Sequence, residues 1–170
     1  EALAYGAAIG AEGVHVMAGI AAGAAAEDAY LDGLAHAADR AAAAGRRIVI
    51  EPLNPHDAPG YFLGDFDTAL RVLDRLDRPN AGLMLDLYHL RRIEGAVLPE
   101  RLAALVARAG HVQVAAYPGR GPLDADDIAL LGLLRACGWA GPVGAEYKPG
   151  GPTDATLGWM AAARDVLTPG

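Results

Sequence analysis

The sequence predicts an α/β protein built on a parallel sheet. Three features point there: five short apolar runs of strand character, longer helical patterns between them, and no linker-like stretch that would separate one domain from another. A single domain over residues 1–170 is therefore expected, long enough to bury a core without disulfide staples. The runs lie at 14–17, 47–50, 82–85, 111–114 and 142–145. Each is continuously apolar and ends at Gly, Pro or a polar residue, as strands covered on both faces do.

Taken in order, residues 2–9 read as the tail of a helix whose preceding strand is missing. Helical patterns follow at 27–44, 66–76, 99–109, 126–137 and 153–167. Asp65 is placed to cap the second of these, and Pro99 suits a first helical turn. Gly45, Gly110 and Gly138 stand just past predicted helix ends, where a left-handed residue closes the last turn. Five strand-helix units fit either an open doubly wound sheet or a closed barrel. No Gly-x-Gly-x-x-Gly or Walker loop follows any strand, which weakens the nucleotide-binding version of the open sheet. The expected fold is thus a partial TIM (β/α)8 barrel, about its last five βα units, since a whole barrel takes about 250 residues.

Composition excludes several classes. The chain is 53% apolar, so it is not disordered, and its 21 acids against 14 bases give a net charge of −7. That sign disfavours nucleic acid or an anionic membrane as partner. The longest nearly uncharged apolar stretch, 16–26, is too short to span a bilayer. The opening residues resemble no signal or transit peptide, and with Glu1 in first place the chain reads as a cut piece. Cys137 is the single cysteine, expected to be a core thiol; it excludes an internal disulfide and fits a cytoplasmic location.

The chemistry is expected at the strand ends. The second to fifth runs lead into Glu51, Asp86, Gln113 and Glu146, with gaps of 35, 27 and 33 residues. Those gaps are close to the roughly 30 residues of a βαβ unit, so four oxygen donors recur at one level of one sheet. Three converging carboxylates repel one another unless a cation joins them. An all-oxygen donor set suits Mg²⁺ or Mn²⁺ better than zinc. His89, Arg120 and Lys148 lie on the loops expected at the same face, where they suit a substrate hydroxyl and an anionic group. The segment 52–62, rich in Pro and Gly with Tyr61 and Phe62, suits a cover over a small ligand. His15 and His111 are expected near strand starts, and His36 within a helix, all three structural.

The chain resembles the hydroxypyruvate isomerase family of the xylose isomerase-like TIM barrels. The resemblance is carried by HVMAG at 15–19, EPLN at 51–54, DAPGYF at 57–62, LDLYH at 85–89, HVQ at 111–113, PGR at 118–120, EYKP at 146–149 and LGW at 157–159. It implies that Glu51, Asp86, Gln113 and Glu146 are metal ligands and that Glu51 and Glu146 are also the proton-transfer pair. It implies a divalent-metal-dependent isomerisation of hydroxypyruvate to tartronate semialdehyde through an enediol; for such a substrate, Arg120 or Lys148 is expected on the carboxylate, with His89 steadying an oxygen. The partner is then a small hydroxy or keto acid, with a homo-oligomer possible. Glutamine at 113 leans away from the ketose epimerases, which commonly carry histidine there.

Two segments depart from the family pattern: Ala116 and Tyr117 replace an acid and an amide, and Asp127 stands where Glu is usual. A 2-oxo-tetronate isomerase, a ketose epimerase or a non-catalytic sugar-acid-binding barrel are the alternatives. The front three strands of the family have no counterpart, so the isolated chain is expected to be unstable or to associate through an exposed edge.

Overall fold

The computed structural model describes residues 1–168. Its elements are α1 (Ala2–Ala8), β1 (Gly13–His15), α2 (Ala24–Ala43), β2 (Arg47–Ile50), α3 (Phe66–Leu76), β3 (Ala81–Asp86), α4 (Leu87–Glu94), α5 (Pro99–Val106), β4 (Ala109–Val114), α6 (Ala125–Ala136), β5 (Val143–Ala145), a 3₁₀ segment (Thr153–Trp159) and α7 (Met160–Leu167). The sheet order is β1-β2-β3-β4-β5. Strands therefore follow one another without the reversal that defines a doubly wound sheet. That order decides between the two architectures the sequence leaves open, in favour of a barrel-type winding.

Two compact units make up the chain, Glu1–Leu85 with Arg108–His111, and Asp86–Ala107 with the residues from Val112 onward. In the first, β1 pairs in parallel with β2, and β2 with β3, in the register Ile48↔Ala81, Val49↔Gly82 and Ile50↔Leu83. Its core is aliphatic: Ile48 and Ile50 of β2, Leu83 and Leu85 of β3, Leu34 of α2 and Phe66, Ala69 and Val72 of α3 are all buried. The apolar positions of α3 recur at three- and four-residue spacing, which turns one face of the helix inward. Asp65 caps it, accepting from the Thr68 N–H at 2.7 Å. Two glycines set how closely β3 and β4 approach here, because a Cβ on Gly82 would lie 3.1 Å from the Gly110 Cα. Gly110 is consequently a strand residue and not the helix-ending glycine expected from sequence, α5 having stopped at Val106. Gly45 and Gly138, at φ 65° and 98°, do take the left-handed role.

In the second unit β4 pairs in parallel with β5, in the register Gln113↔Gly144. Its buried residues include Leu87 and Leu90 of α4, Leu102 and Leu105 of α5, Val112 and Val114 of β4, and Leu131 and Leu134 of α6. Helix α4 is not expected from sequence. Its polar stretch His89-Leu90-Arg91-Arg92 hides an apolar face of barely two turns, too short for a periodicity signal. Cys137 is half-buried and not a core thiol, because it follows the end of α6 at the C-cap. None of the described helices is long and apolar enough to cross a membrane.

Candidate active site

Three strand ends deliver their expected side chain by the same local logic, in which the apolar run stays in the sheet and an acid stands at or just past its end; Gln113 instead lies within the paired part of β4, opposite Gly144. Glu51 directly follows β2, Asp86 is the last residue of β3, Gln113 the penultimate residue of β4, and Glu146 the residue after β5. In the first unit Glu51 is 5% exposed. The His15 Nδ1 lies 3.8 Å from its Oε2. This corrects the sequence expectation for His15: β1 begins at Gly13 and ends at His15, so the imidazole sits at the C-terminal end of its strand, beside a carboxylate. The run expected at 14–17 is a strand only over Gly13–His15, so the apolar Val16 and Met17 conceal where β1 ends.

Above Glu51 two loops are tied together. The Ala18 N–H donates to the Tyr61 hydroxyl at 2.9 Å, and the Phe62 N–H to the Gly19 carbonyl at 2.9 Å. Tyr61 is buried, which raises its hydroxyl above the ordinary tyrosine range; the Ala18 contact opposes that rise and the Glu51 charge adds to it. Phe62 meets the Tyr30 ring edge to face at 5.8 Å between centroids. The aromatics of segment 52–62 are thus inward-facing anchors.

The second unit carries the densest polar arrangement. Asp86 is fully buried, and burial raises its carboxyl to about 6, against the lowering effect of the Tyr88 N–H, which donates to Oδ1 at 2.8 Å, and of the Arg120 charge. The Arg120 guanidinium reaches 3.0 Å from Glu146 Oε2 and 4.0 Å from Asp86 Oδ2, and lies 5.2 Å from the Tyr88 ring centroid. One nitrogen of His89, itself 1% exposed, lies within 4.8 Å of a carboxylate oxygen of Asp86. Asp86, His89, Arg120 and Glu146 are thereby brought together. Lys148 contributes differently from expectation: its backbone N–H donates to the Arg120 carbonyl at 2.7 Å, and its side chain is exposed.

The buried donors include groups that could hold a metal ion. Asp86 Oδ2 and Gln113 Oε1 are buried oxygens with no hydrogen-bond partner among the described residues. Such atoms are costly unless something else meets them. Glu51, Asp86 and His89 are each buried and each offer one metal-ligating atom.

Tyr117 and Asp127, both departures from the family pattern, meet the same side chain, Arg91. The Asp127 carboxylate accepts from Arg91 at 2.6 Å and from the Asp124 N–H at 3.0 Å, and the Arg91 guanidinium stacks over the Tyr117 ring at 4.7 Å. Asp127 is buried, which raises its carboxyl, while its N–H on Asp124 lowers that neighbour. Sequence reasoning missed the Arg91–Asp127 pair because it joins residues 36 apart.

The family model described as xylose isomerase-like TIM barrel matches residues 1–163. The chain belongs to the xylose isomerase-like TIM barrel family. With five strands in sequential order, each leading toward a helix, it is an α/β fold and a partial TIM barrel. Among family relatives, the 2-oxo-tetronate isomerase of Cupriavidus necator is 37% identical over 167 residues, covering 94% of this chain and 64% of the relative. A protein of Xenopus laevis provisionally named hydroxypyruvate isomerase is 35% identical, covering 94% of this chain and 62% of the relative. Of solved structures, a family 2 AP endonuclease from Brucella melitensis superposes with a TM-score of 0.84 at 34% identity, covering 94% of this chain and 64% of that one. The chain thus spans a little under two thirds of the length of these xylose isomerase-like relatives.

Proposed function

We propose that this chain carries the chemistry of a divalent-metal-dependent isomerase interconverting hydroxypyruvate and tartronate semialdehyde. The observation that carries the reading is the Asp86–Arg120–Glu146 arrangement, in which a guanidinium suited to a substrate carboxylate sits between two acids at strand ends. The relatives named 2-oxo-tetronate isomerase and hydroxypyruvate isomerase support an isomerase. A net charge of −7 speaks against a nucleic-acid substrate.

In this reading Glu51, Asp86, Gln113 and Glu146 hold Mg²⁺ or Mn²⁺, with His89 beside Asp86 to hold a ligand or a substrate oxygen. The bound ion supplies polarisation of the C2 carbonyl and neutralises the acids. Glu51 and Glu146 serve as proton acceptor and donor. One carboxylate takes a proton from C3, and the electron pair forms the C2–C3 double bond as the C2 oxygen gains a proton. Addition of a proton at C2 from the other carboxylate leaves an aldehyde at C3, the proton gained by the C2 oxygen being the one that the C3 hydroxyl gives up. Arg120 holds the carboxylate and fixes which carbon faces each acid.

A second reading, isomerisation of a 2-oxo-tetronate, is favoured by the 37% identity to the Cupriavidus protein and uses the same groups on a substrate one carbon longer. The test is turnover of hydroxypyruvate, a 2-oxo-tetronate and a neutral ketose by the full chain with Mn²⁺ or Mg²⁺, and again after chelation. Turnover of either acid that chelation abolishes and Glu146→Gln lowers by at least about a hundredfold is expected. Turnover of the ketose alone, binding of the acids without turnover, or turnover indifferent to chelation overturns the proposal.

A further inference from the structure

Arg120 occupies an unusual position for a substrate-binding cation. Its guanidinium is 3.0 Å from Glu146 Oε2 and 4.0 Å from Asp86 Oδ2, so it faces two of the oxygens assigned above to the metal ion. Its backbone holds it there. Arg120 adopts φ 54°, the left-handed region that a residue with a Cβ enters at a cost. Two hydrogen bonds of 2.7 Å fix that conformation: its own N–H donates to the Ala116 carbonyl, and its carbonyl accepts from the Lys148 N–H. The Tyr88 ring supports the guanidinium plane at 5.2 Å. A strained backbone clamped on both sides, with a cation aimed at buried Asp86, points to a function for that aim.

We propose that the Arg120 guanidinium and a divalent cation compete for the carboxylates of Asp86 and Glu146, so that ion binding turns the guanidinium toward the substrate's carboxylate. The inference rests on the metal site of the proposed function and adds a coupling to it. Two cations cannot both approach Asp86 closely without mutual repulsion. The arriving ion takes the oxygens with the higher charge density, and the displaced guanidinium stays tethered by its fixed backbone within reach of the site. Anion binding and ion binding then favour one another, because each removes the competitor of the other.

The test is Mn²⁺ affinity of the full chain by calorimetry at pH 7.5 for the wild type, Arg120→Gln, Arg120→Lys and Asp86→Asn, with circular dichroism to confirm folding. Arg120→Gln is expected to bind Mn²⁺ about tenfold more tightly than wild type, because a positive charge beside the ligands is gone. Arg120→Lys falls between, and Asp86→Asn loses binding. An Arg120→Gln affinity equal to or weaker than wild type, with Asp86→Asn still impaired, overturns the competition and leaves the metal site standing. Absence of binding in both wild type and Arg120→Gln, or binding unchanged in Asp86→Asn, overturns the metal site and the competition together. A second measurement is independent of affinity: in a Mg²⁺ titration followed by ¹⁵N NMR, the Arg120 Nε–Hε signal, assigned by its loss in Arg120→Lys, moves with saturation. A stationary signal through saturation overturns the proposal.

Discussion

Asp86→Asn is expected to stabilise the protein when chelator is present. Asp86 is fully buried, and its carboxyl is raised from 3.8 to about 6 mainly by burial. A rise of about 2 units corresponds to about 3 kcal/mol between the two protonation states. The sign follows from linkage. The folded protein binds its proton more tightly than the unfolded chain, so the stabilising state is the protonated one; it is fully available below about pH 4 and is lost as pH rises through about 6. At pH 7.5 the whole cost of keeping a buried carboxylate ionised is present. Asparagine removes that cost and keeps an oxygen for the Tyr88 N–H, now accepted at 2.8 Å, but gives up the attraction of Arg120 at 4.0 Å. The net gain is about 1–2 kcal/mol, or about 0.5–1 M in the urea midpoint for a chain of this size. Urea unfolding with EDTA at pH 7.5 and at pH 4 reads it directly. The gain should be present at the first pH and mostly gone at the second. A variant less stable than wild type at pH 7.5, or an offset equal at both pH values, would contradict the view that burial without a cation is what strains this carboxylate.

Two further perturbations probe the scaffold. Gly82→Ala places a Cβ 3.1 Å from backbone atoms of Gly110, which cannot yield without shifting a strand, so a loss of about 1–3 kcal/mol is expected in chemical unfolding; Gly33→Ala, in open space on α2, is the contrasting control and should gain up to about 1 kcal/mol. Equal effects from the two would sink the close-approach account. Asp127→Ala removes the partner of Arg91 at 2.6 Å and the acceptor of the Asp124 N–H at 3.0 Å, leaving a half-buried guanidinium uncompensated. A loss of about 3 kcal/mol should lower Tm by about 6–12 °C, and a fall under 2 °C would show the pair to be expendable.

Much of the candidate site is legible in the chain because its signal is local. A strand covered on both faces must be apolar, so the residue where polarity returns marks the strand end, and this puts Glu51, Asp86 and Glu146 at the ends of their strands, whereas Gln113 lies one residue before the end of β4, still paired. Capping is equally local, which is why Asp65 can be read directly. Position does not give orientation. Lys148 stands on the expected loop, yet the chain uses its amide, to hold Arg120, while the side chain remains in solvent. His15 is misplaced by sequence reasoning because the apolar run continues through Val16 and Met17, past the point where β1 ends.

Hydrophobic periodicity and turn chemistry act over a few residues. They are enough to set the alternation of strands and helices and the oxygen donors at the strand ends, and composition adds the charge that argues against nucleic acid. The sequential strand order, the setting of His15 against Glu51, the Asp127 clamp on Arg91 and the aim of Arg120 at Asp86 and Glu146 emerge only in the folded chain. Those contacts join residues 26 to 36 apart, and no local rule fixes which donor meets which acceptor until the backbone has folded.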